Sequence, residues 1–91
     1  MLRYDYKEFS VALGKRMKAL RKEKKITLRS LMLDHGFHMT QIQRIERGDG
    51  ISIPTLLRLA EVFQEPIETL VAGLGLVVSP EPKAKLSKKQ L

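Results

Sequence analysis

Residues 27–48 read TLRSLMLDHGFHMTQIQRIERG and hold the most informative pattern of the chain. The first part of this stretch has the pattern of a short helix, because Thr27 is a good N-cap and apolar side chains follow it at helical spacing. Gly36 stands where that helix should end, at a position where a left-handed backbone is least costly for glycine. In the second part, Ile42 and Ile45 lie three residues apart and predict one buried helix face. The stretch therefore predicts two short helices joined by a tight turn.

Helical patterns continue on both sides of this stretch. Upstream, a helix is predicted from about Phe9 to Lys25, because apolar residues recur there at steps of three and four. Downstream, Ser52 is a candidate cap for a fourth helix, and Pro54 is tolerated in its first turn. Pro66 opens a short fifth helix that runs to about Val71.

These patterns predict an all-α fold of five helices around an aliphatic core, because the chain has no tryptophan and few other aromatic residues. The second and third helices should cross steeply. The predicted core consists of Leu13, Met17, Leu20, Leu31, Ile42, Ile45, Leu56, Leu59, Ala60 and Phe63.

Four segments are predicted along the chain. Residues 1–8 are an N-terminal leader, and residues 9–72 form the helical domain. Residues 73–78 are an apolar segment broken by glycines, which is too short for a membrane span and unlike an amphipathic helix. Residues 79–91 hold two prolines and four lysines and predict a disordered basic tail.

Composition limits the class of protein. A length of 91 residues suits one domain, and the absence of cysteine excludes disulfides and thiolate metal sites. The net charge of +7 is concentrated in residues 1–26, which hold nine basic residues against three acidic ones. A basic patch of this kind indicates a polyanionic partner. No apolar run approaches the roughly 20 residues that span a bilayer, so a cytoplasmic protein without a membrane partner is expected.

The sequence offers little to an enzyme or a metal site. His35 and His38 lie three residues apart, but their spacing crosses the predicted turn and does not place them on one helical face. We find no nucleophile with a base and an acid, no Walker loop and no glycine fingerprint. The sequence therefore predicts no enzyme, no metal, no cofactor and no small-molecule ligand.

Two short helices joined by a glycine-containing turn form a helix-turn-helix. The stretch resembles that of the phage-repressor/Cro family, also called the XRE family, and the resemblance extends over about residues 9–72. It rests on several features in a fixed order: Arg21 near the end of the first helix, Leu31, Gly36, the sequence IERG at residues 45–48, and IPTLLRLA at residues 53–60. The resemblance implies a lambda-repressor-like DNA-binding domain with its motif in helices 2 and 3.

The third helix is the predicted recognition helix. With Ile42 and Ile45 turned inward, its outer face carries the predicted base-reading residues Met39, Thr40, Gln43 and Arg44. Arg44 suits guanine, because its planar fork can bind O6 and N7 together. Gln43 suits adenine or a phosphate, and the side chains near the helix start suit thymine methyl groups.

Phosphate contacts should flank the recognition helix. The resemblance implies them around Thr27 and around Arg47, and helix N-termini favour anions. Lys22, Lys24 and Lys25 are predicted auxiliaries. The resemblance also implies that Arg21 pairs with Glu46 while keeping N–H groups free for a phosphate.

Together these features predict a sequence-specific transcriptional regulator of double-stranded DNA, either a repressor or a controller-type protein. One short recognition helix reads few base pairs, so a homodimer on a two-fold or pseudo-palindromic operator is expected. The segment 73–78 is the predicted dimer contact, either as a strand added across the two-fold axis or packed on helix 5 of the partner. The competing interpretation is that this segment folds back over its own core and that the protein dimerises only on DNA.

A second interpretation stays open. The chain departs from the family pattern at Leu28, Met32 and His38, where a polar residue, alanine and a serine or threonine are usual. A protein-interaction module or an antitoxin with weak or no DNA binding would fit these departures. The mostly polar outer face of helix 3 favours DNA instead.

Overall fold

The computed structural model of the protein describes residues 2–78, so the predicted tail of residues 79–91 lies outside the described residues. Within that range the chain forms five helices and two short strands. In chain order these are β1 (Leu2–Tyr4), α1 (Tyr6–Glu23), α2 (Leu28–His35), α3 (Met39–Arg47), α4 (Ile53–Phe63), α5 (Ile67–Val71) and β2 (Leu76–Val78).

Helix α1 begins at Tyr6, earlier than the predicted start at Phe9, and it ends at Glu23. Asp5 is the reason for the early start, because its side chain accepts a hydrogen bond from the Glu8 N–H at 2.9 Å. The apolar stripe that predicted the helix does not include this cap. Part of the predicted leader is therefore the first turn of α1.

Helices α2 and α3 are the two short helices that the sequence predicts. Thr27 caps α2 by accepting a hydrogen bond from the Ser30 N–H at 2.9 Å. Gly36 ends α2 in the left-handed conformation, with φ at 76°. Helix α3 begins after His38, whose side chain makes no capping hydrogen bond. The two helices thus begin differently, one with a side-chain cap and one without.

The core lies where the five helices meet. All ten predicted core side chains are buried, so this part of the prediction is confirmed. Phe37, Leu70 and Leu74 are buried with them, although none was predicted. Phe37 lies in the turn between α2 and α3, where no helical period marks it as inward-facing.

The two strands form an antiparallel ribbon outside the helical region, with Leu2 opposite Val78 and Tyr4 opposite Leu76. The five-helix prediction is confirmed. The ribbon was not predicted, because strands of only three residues leave little pattern in a sequence. The segment 73–78 turns back onto its own domain, where Leu74 is buried and the Gly75 carbonyl accepts from the Asp5 N–H at 3.0 Å. None of the five helices combines the length and the hydropathy of a membrane span in this described part of the chain.

Candidate nucleic-acid interface

Helix α3 has one buried and one exposed face. Ile42 and Ile45 are buried in the core. Thr40, Gln43 and Arg44 are exposed, and Met39 keeps about a third of its surface accessible at 36%. The structure thus brings all four predicted base-reading residues to one outer surface of α3.

Helix α3 lies directly on α1, because Gly14 has no side chain to separate them. A Cβ atom added to Gly14 would lie 2.9 Å from the Glu46 carbonyl oxygen, closer than such atoms approach in proteins. The backbones of the two helices are therefore in contact near the carboxyl end of α3. This contact sets the distance between α3 and α1.

A buried ion pair reinforces the same end of α3. The Arg21 Nε donates to Glu46 Oε2 at 2.7 Å and Nη2 donates to Oε1 at 3.2 Å. The two side chains are only 10% and 11% exposed. Nη1 donates to the Ile26 carbonyl at 3.2 Å, so three of the five guanidinium N–H groups bind within the protein. The geometry makes Arg21 a support for α3, with little of it reaching the surface.

An open groove at the start of α2 gathers much of the predicted phosphate-binding set. It is lined by Arg21, Lys22, Lys25, Ile26, Thr27, Leu28 and Arg29. Four of these are basic, and the first N–H groups of α2 lie at the same place, which favours an anion. Arg29 is an exposed lining residue that was not predicted, although its position close to the Thr27 cap was a usable signal.

The structure gives the other two predicted phosphate ligands acidic partners. Lys24 Nζ lies 2.8 Å from Glu65 Oε2, and both side chains are about a quarter exposed. Arg47 donates to Asp49 Oδ2 at 2.6 Å in an exposed pair. These two cations are thus partly neutralised by their own chain, whereas Lys22 and Lys25 have no acidic partner within 4.0 Å among residues 2–78.

A second groove runs between α3 and the start of α4. Arg44, Asp49 and Ser52 are among its lining residues. The Gln41 side-chain amide donates to Thr55 Oγ1 at 3.2 Å, which ties α3 to α4. Gln41 follows the outward-facing Thr40 and precedes the buried Ile42, and that intermediate position was the only sequence signal for its role.

The three departures from the family pattern have simple structural outcomes. Leu28 packs its half-buried side chain against the core. Met32 is also half-buried, and His38 is exposed at the start of α3. His35 is exposed as well, so both histidines lie on the surface.

Comparison with known proteins agrees with this geometry. A family model described as "Helix-turn-helix" matches residues 17–70, more than half of the chain. A protein of Pyrococcus horikoshii described as an HTH-type transcriptional regulatory protein is 37% identical over 82 residues, which cover 84% of this chain and 26% of the relative. The HTH-type transcriptional repressor RghR of Bacillus subtilis is 36% identical over 66 residues, which cover 70% of this chain and 49% of the relative. The chain thus spans about a quarter and about half of these two relatives.

A solved structure shares the fold. The DNA-binding domain of BldD superposes with a TM-score of 0.66 at 22% identity, covering 71% of this chain and 96% of that domain. The matched family model and both relatives are described as helix-turn-helix proteins. On the match over residues 17–70 and the geometry of α2 and α3, the chain belongs to the helix-turn-helix family.

Proposed function

We propose that the protein is a sequence-specific transcriptional regulator, of repressor or controller type, that inserts α3 into the major groove of double-stranded DNA. The observation that carries the proposal is the division of α3 into a face buried by Ile42 and Ile45 and an exposed face that bears Thr40, Gln43 and Arg44. A helix with one free polar face fits the major groove, where each base pair shows a distinct pattern of donors and acceptors. The description of both relatives as transcriptional regulators supports it.

In this proposal, one set of residues contacts the bases and another set contacts the phosphates. Arg44 reads a guanine through two parallel hydrogen bonds, and Met39, Thr40 and Gln43 contact neighbouring bases. The groove at the start of α2 holds a phosphate through Lys22, Lys25 and Thr27, with Arg29 as an added ligand. Lys24 and Arg47 remain proposed phosphate ligands, and each must leave an acidic partner to bind.

Arg44→Ala tests the reading role. A duplex is first selected from a random pool by the unaltered protein, and binding to it is then compared with binding to a scrambled duplex. Arg44→Ala should cost roughly 1–3 kcal/mol on the selected duplex and relax the preference at one base position. Lys25→Ala is the matched control, because loss of a phosphate ligand should weaken both duplexes alike and flatten the salt dependence. An unchanged base preference in Arg44→Ala contradicts the reading role, and failure to select any duplex contradicts the function itself.

We also propose that the protein acts as a homodimer on a two-fold or pseudo-palindromic operator. A single recognition helix reads too few base pairs for useful specificity in a genome. Two helices in successive major grooves about 34 Å apart supply it. Residues 49–70 carry four acids against one arginine, so this part of the domain suits the side away from DNA.

The ribbon is the proposed contact between copies. Leu2, Tyr4 and Leu76 share one face of it by register, and they are 67%, 71% and 40% exposed. A contiguous exposed apolar patch is a feature of interaction surfaces. The ribbon therefore replaces the predicted contact through segment 73–78 alone, because Leu74 packs inside its own core.

Tyr4→Lys together with Leu76→Lys should lower the solution mass to that of a monomer at micromolar concentration. Ile53→Lys is the matched control, since Ile53 is an apolar side chain of α4 that is 65% exposed, and it should leave the mass unchanged. A monomeric unaltered protein, free and on its selected duplex, would rule out the dimer.

We place this activity in the cytoplasm, because the two relatives come from an archaeon and a bacterium, whose DNA lies there.

A further inference from the structure

The start of α3 depends on the turn before it. His38 offers no side-chain acceptor to the first N–H groups of the helix, so the usual stabilisation of a helix start is missing. The turn is held instead by Phe37, which is 2% exposed and whose N–H donates to the Leu31 carbonyl at 3.1 Å. Gly36 precedes it in the left-handed conformation. The direction in which α3 leaves α2 is set by these two residues.

Arg58 of α4 contacts both sides of this turn. Its guanidinium carbon lies 4.2 Å from the centre of the Phe37 ring, in a cation–π arrangement. Its Nη2 donates to the His35 carbonyl oxygen at 2.8 Å. That carbonyl belongs to the last turn of α2, where carbonyl groups lack partners within the helix and a positive charge is favourable.

The two contacts act on residues immediately before and after Gly36. Because Gly36 has no side chain to restrict its backbone, rotation there would swing α3 relative to α2. A guanidinium that stacks on Phe37 and bonds to His35 at once restrains this rotation. Arg58 connects that restraint to α4, a helix that shares the domain core.

We propose that Arg58 is a positioning residue for DNA recognition, which holds the Gly36–His38 turn so that the amino end of α3 reaches the bases in one orientation. The proposal rests on the proposed DNA-binding function. The competing role for an exposed arginine is a phosphate contact. A phosphate contact contributes equally to every DNA sequence, whereas orientation of α3 matters only where bases are read.

The test compares Arg58→Ala, Arg58→Lys and Phe37→Leu with the unaltered protein on the selected and the scrambled duplex. Arg58→Lys is the matched control for charge, because lysine keeps the positive charge but lacks the planar fork that stacks and bonds together. Arg58→Ala and Arg58→Lys should both bind the selected duplex about five- to tenfold more weakly, the range expected for one lost cation–π contact with its hydrogen bond. Arg58→Lys should leave binding to the scrambled duplex unchanged.

Two further readouts separate positioning from stability. Amide chemical shifts of residues 36–40 should move together in Arg58→Lys and Phe37→Leu, while thermal unfolding shows each variant to be folded at the assay temperature. The losses of Arg58→Ala and Phe37→Leu on the selected duplex should be less than additive in the double variant, because both remove the same contact.

Each outcome bears on the proposal. If Arg58→Lys binds the selected duplex as tightly as the unaltered protein, or if Arg58→Ala loses both duplexes in the same proportion, Arg58 is a charge contact and the positioning role is wrong. If Arg58→Ala does not fold, Arg58→Lys and Phe37→Leu decide the question. If the unaltered protein distinguishes no duplex, the proposed function fails first, and the amide shifts still report whether Arg58 holds the turn.

Discussion

The two ends of α3 are held by different means. At its carboxyl end, Gly14 brings the backbone of α1 against that of α3, and the Arg21–Glu46 pair is about nine-tenths buried. At its amino end, His38 provides no cap, and the preceding turn is held by the buried Phe37 and the exposed Arg58. The carboxyl end is thus fixed by close backbone packing and a buried ion pair, and the amino end by one buried ring and the contacts of an exposed arginine.

This difference matters because the first residues of a recognition helix are the ones that reach base edges. A helix anchored at its far end keeps its place in the domain, while the contacts of Phe37 and Arg58 set the orientation of its reading end. The carboxyl end should therefore govern the stability of the fold, and the amino end the selectivity of the proposed DNA binding. Three substitutions test this division.

Removal of one partner of the buried pair should have the largest effect. Arg21→Ala leaves Glu46 as an uncompensated buried carboxylate and should lower the free energy of unfolding by about 3 kcal/mol. The neighbouring exposed pair provides the control, because Asp49→Ala breaks the Arg47–Asp49 contact at a cost of no more than about 1 kcal/mol. Urea unfolding measures both. Equal losses for the two variants would mean that burial of the Arg21–Glu46 pair does not distinguish the carboxyl end.

Gly14→Ala should have the next largest effect on the free energy of unfolding. It should destabilise the protein, although helix propensity alone favours alanine over glycine. Alanine in place of glycine inside a helix ordinarily stabilises by about 1 kcal/mol. Here the added methyl meets the carbonyl oxygens of Ile45 and Glu46, so a loss of about 1–3 kcal/mol is expected from overpacking.

Ala19→Gly is the matched control for that change, because Ala19 is an exposed residue of the same helix. It should destabilise by about 0.5–1 kcal/mol through propensity alone. Thermal unfolding of both variants gives the comparison. A stabilised Gly14→Ala protein would show that α1 and α3 can move apart freely, contrary to a fixed carboxyl end.

His38→Ser should have the smallest effect and should make the two ends more alike. Serine supplies the missing side-chain acceptor, so the protein should gain about 0.5–1 kcal/mol. Thr27→Ala is the reverse change at α2, where the existing cap accepts at 2.9 Å, and it should cost about 1 kcal/mol. Slower amide exchange of residues 40 and 41 in His38→Ser would locate the gain at the start of α3. No change in exchange there would mean that the turn already holds the helix start.

The parts of this molecule that follow from local pattern were predictable from the sequence. Helical spacing identified ten of the thirteen apolar residues that are buried in the core of the described chain, and Thr27 with Gly36 marked the bounds of α2. Arg21 and Glu46 lie far apart in the sequence, and only the family resemblance brought them together. Their contact in the structure is the expected one, at 2.7 Å.

The parts that depend on contacts between distant segments were not predictable in this way. Lys24 meets Glu65, and Arg58 meets Phe37, because the packing of the helices places them together. Neither charge pattern nor periodicity encodes such a meeting. Phe37 itself was a sequence signal, because it is an apolar residue between Gly36 and His38. The base and phosphate contacts stay predictions until DNA is bound.

The ribbon has a consequence for the order in which the molecule folds. It joins Leu2–Tyr4 to Leu76–Val78, so its formation closes a loop that contains all five helices. Before the helices pack, the entropy lost in closing so long a loop exceeds what a few strand hydrogen bonds recover. Local helical contacts form faster than pairing between segments distant in sequence. The ribbon should therefore form last, after the helices have packed. Its amide hydrogens should exchange before those of the helices.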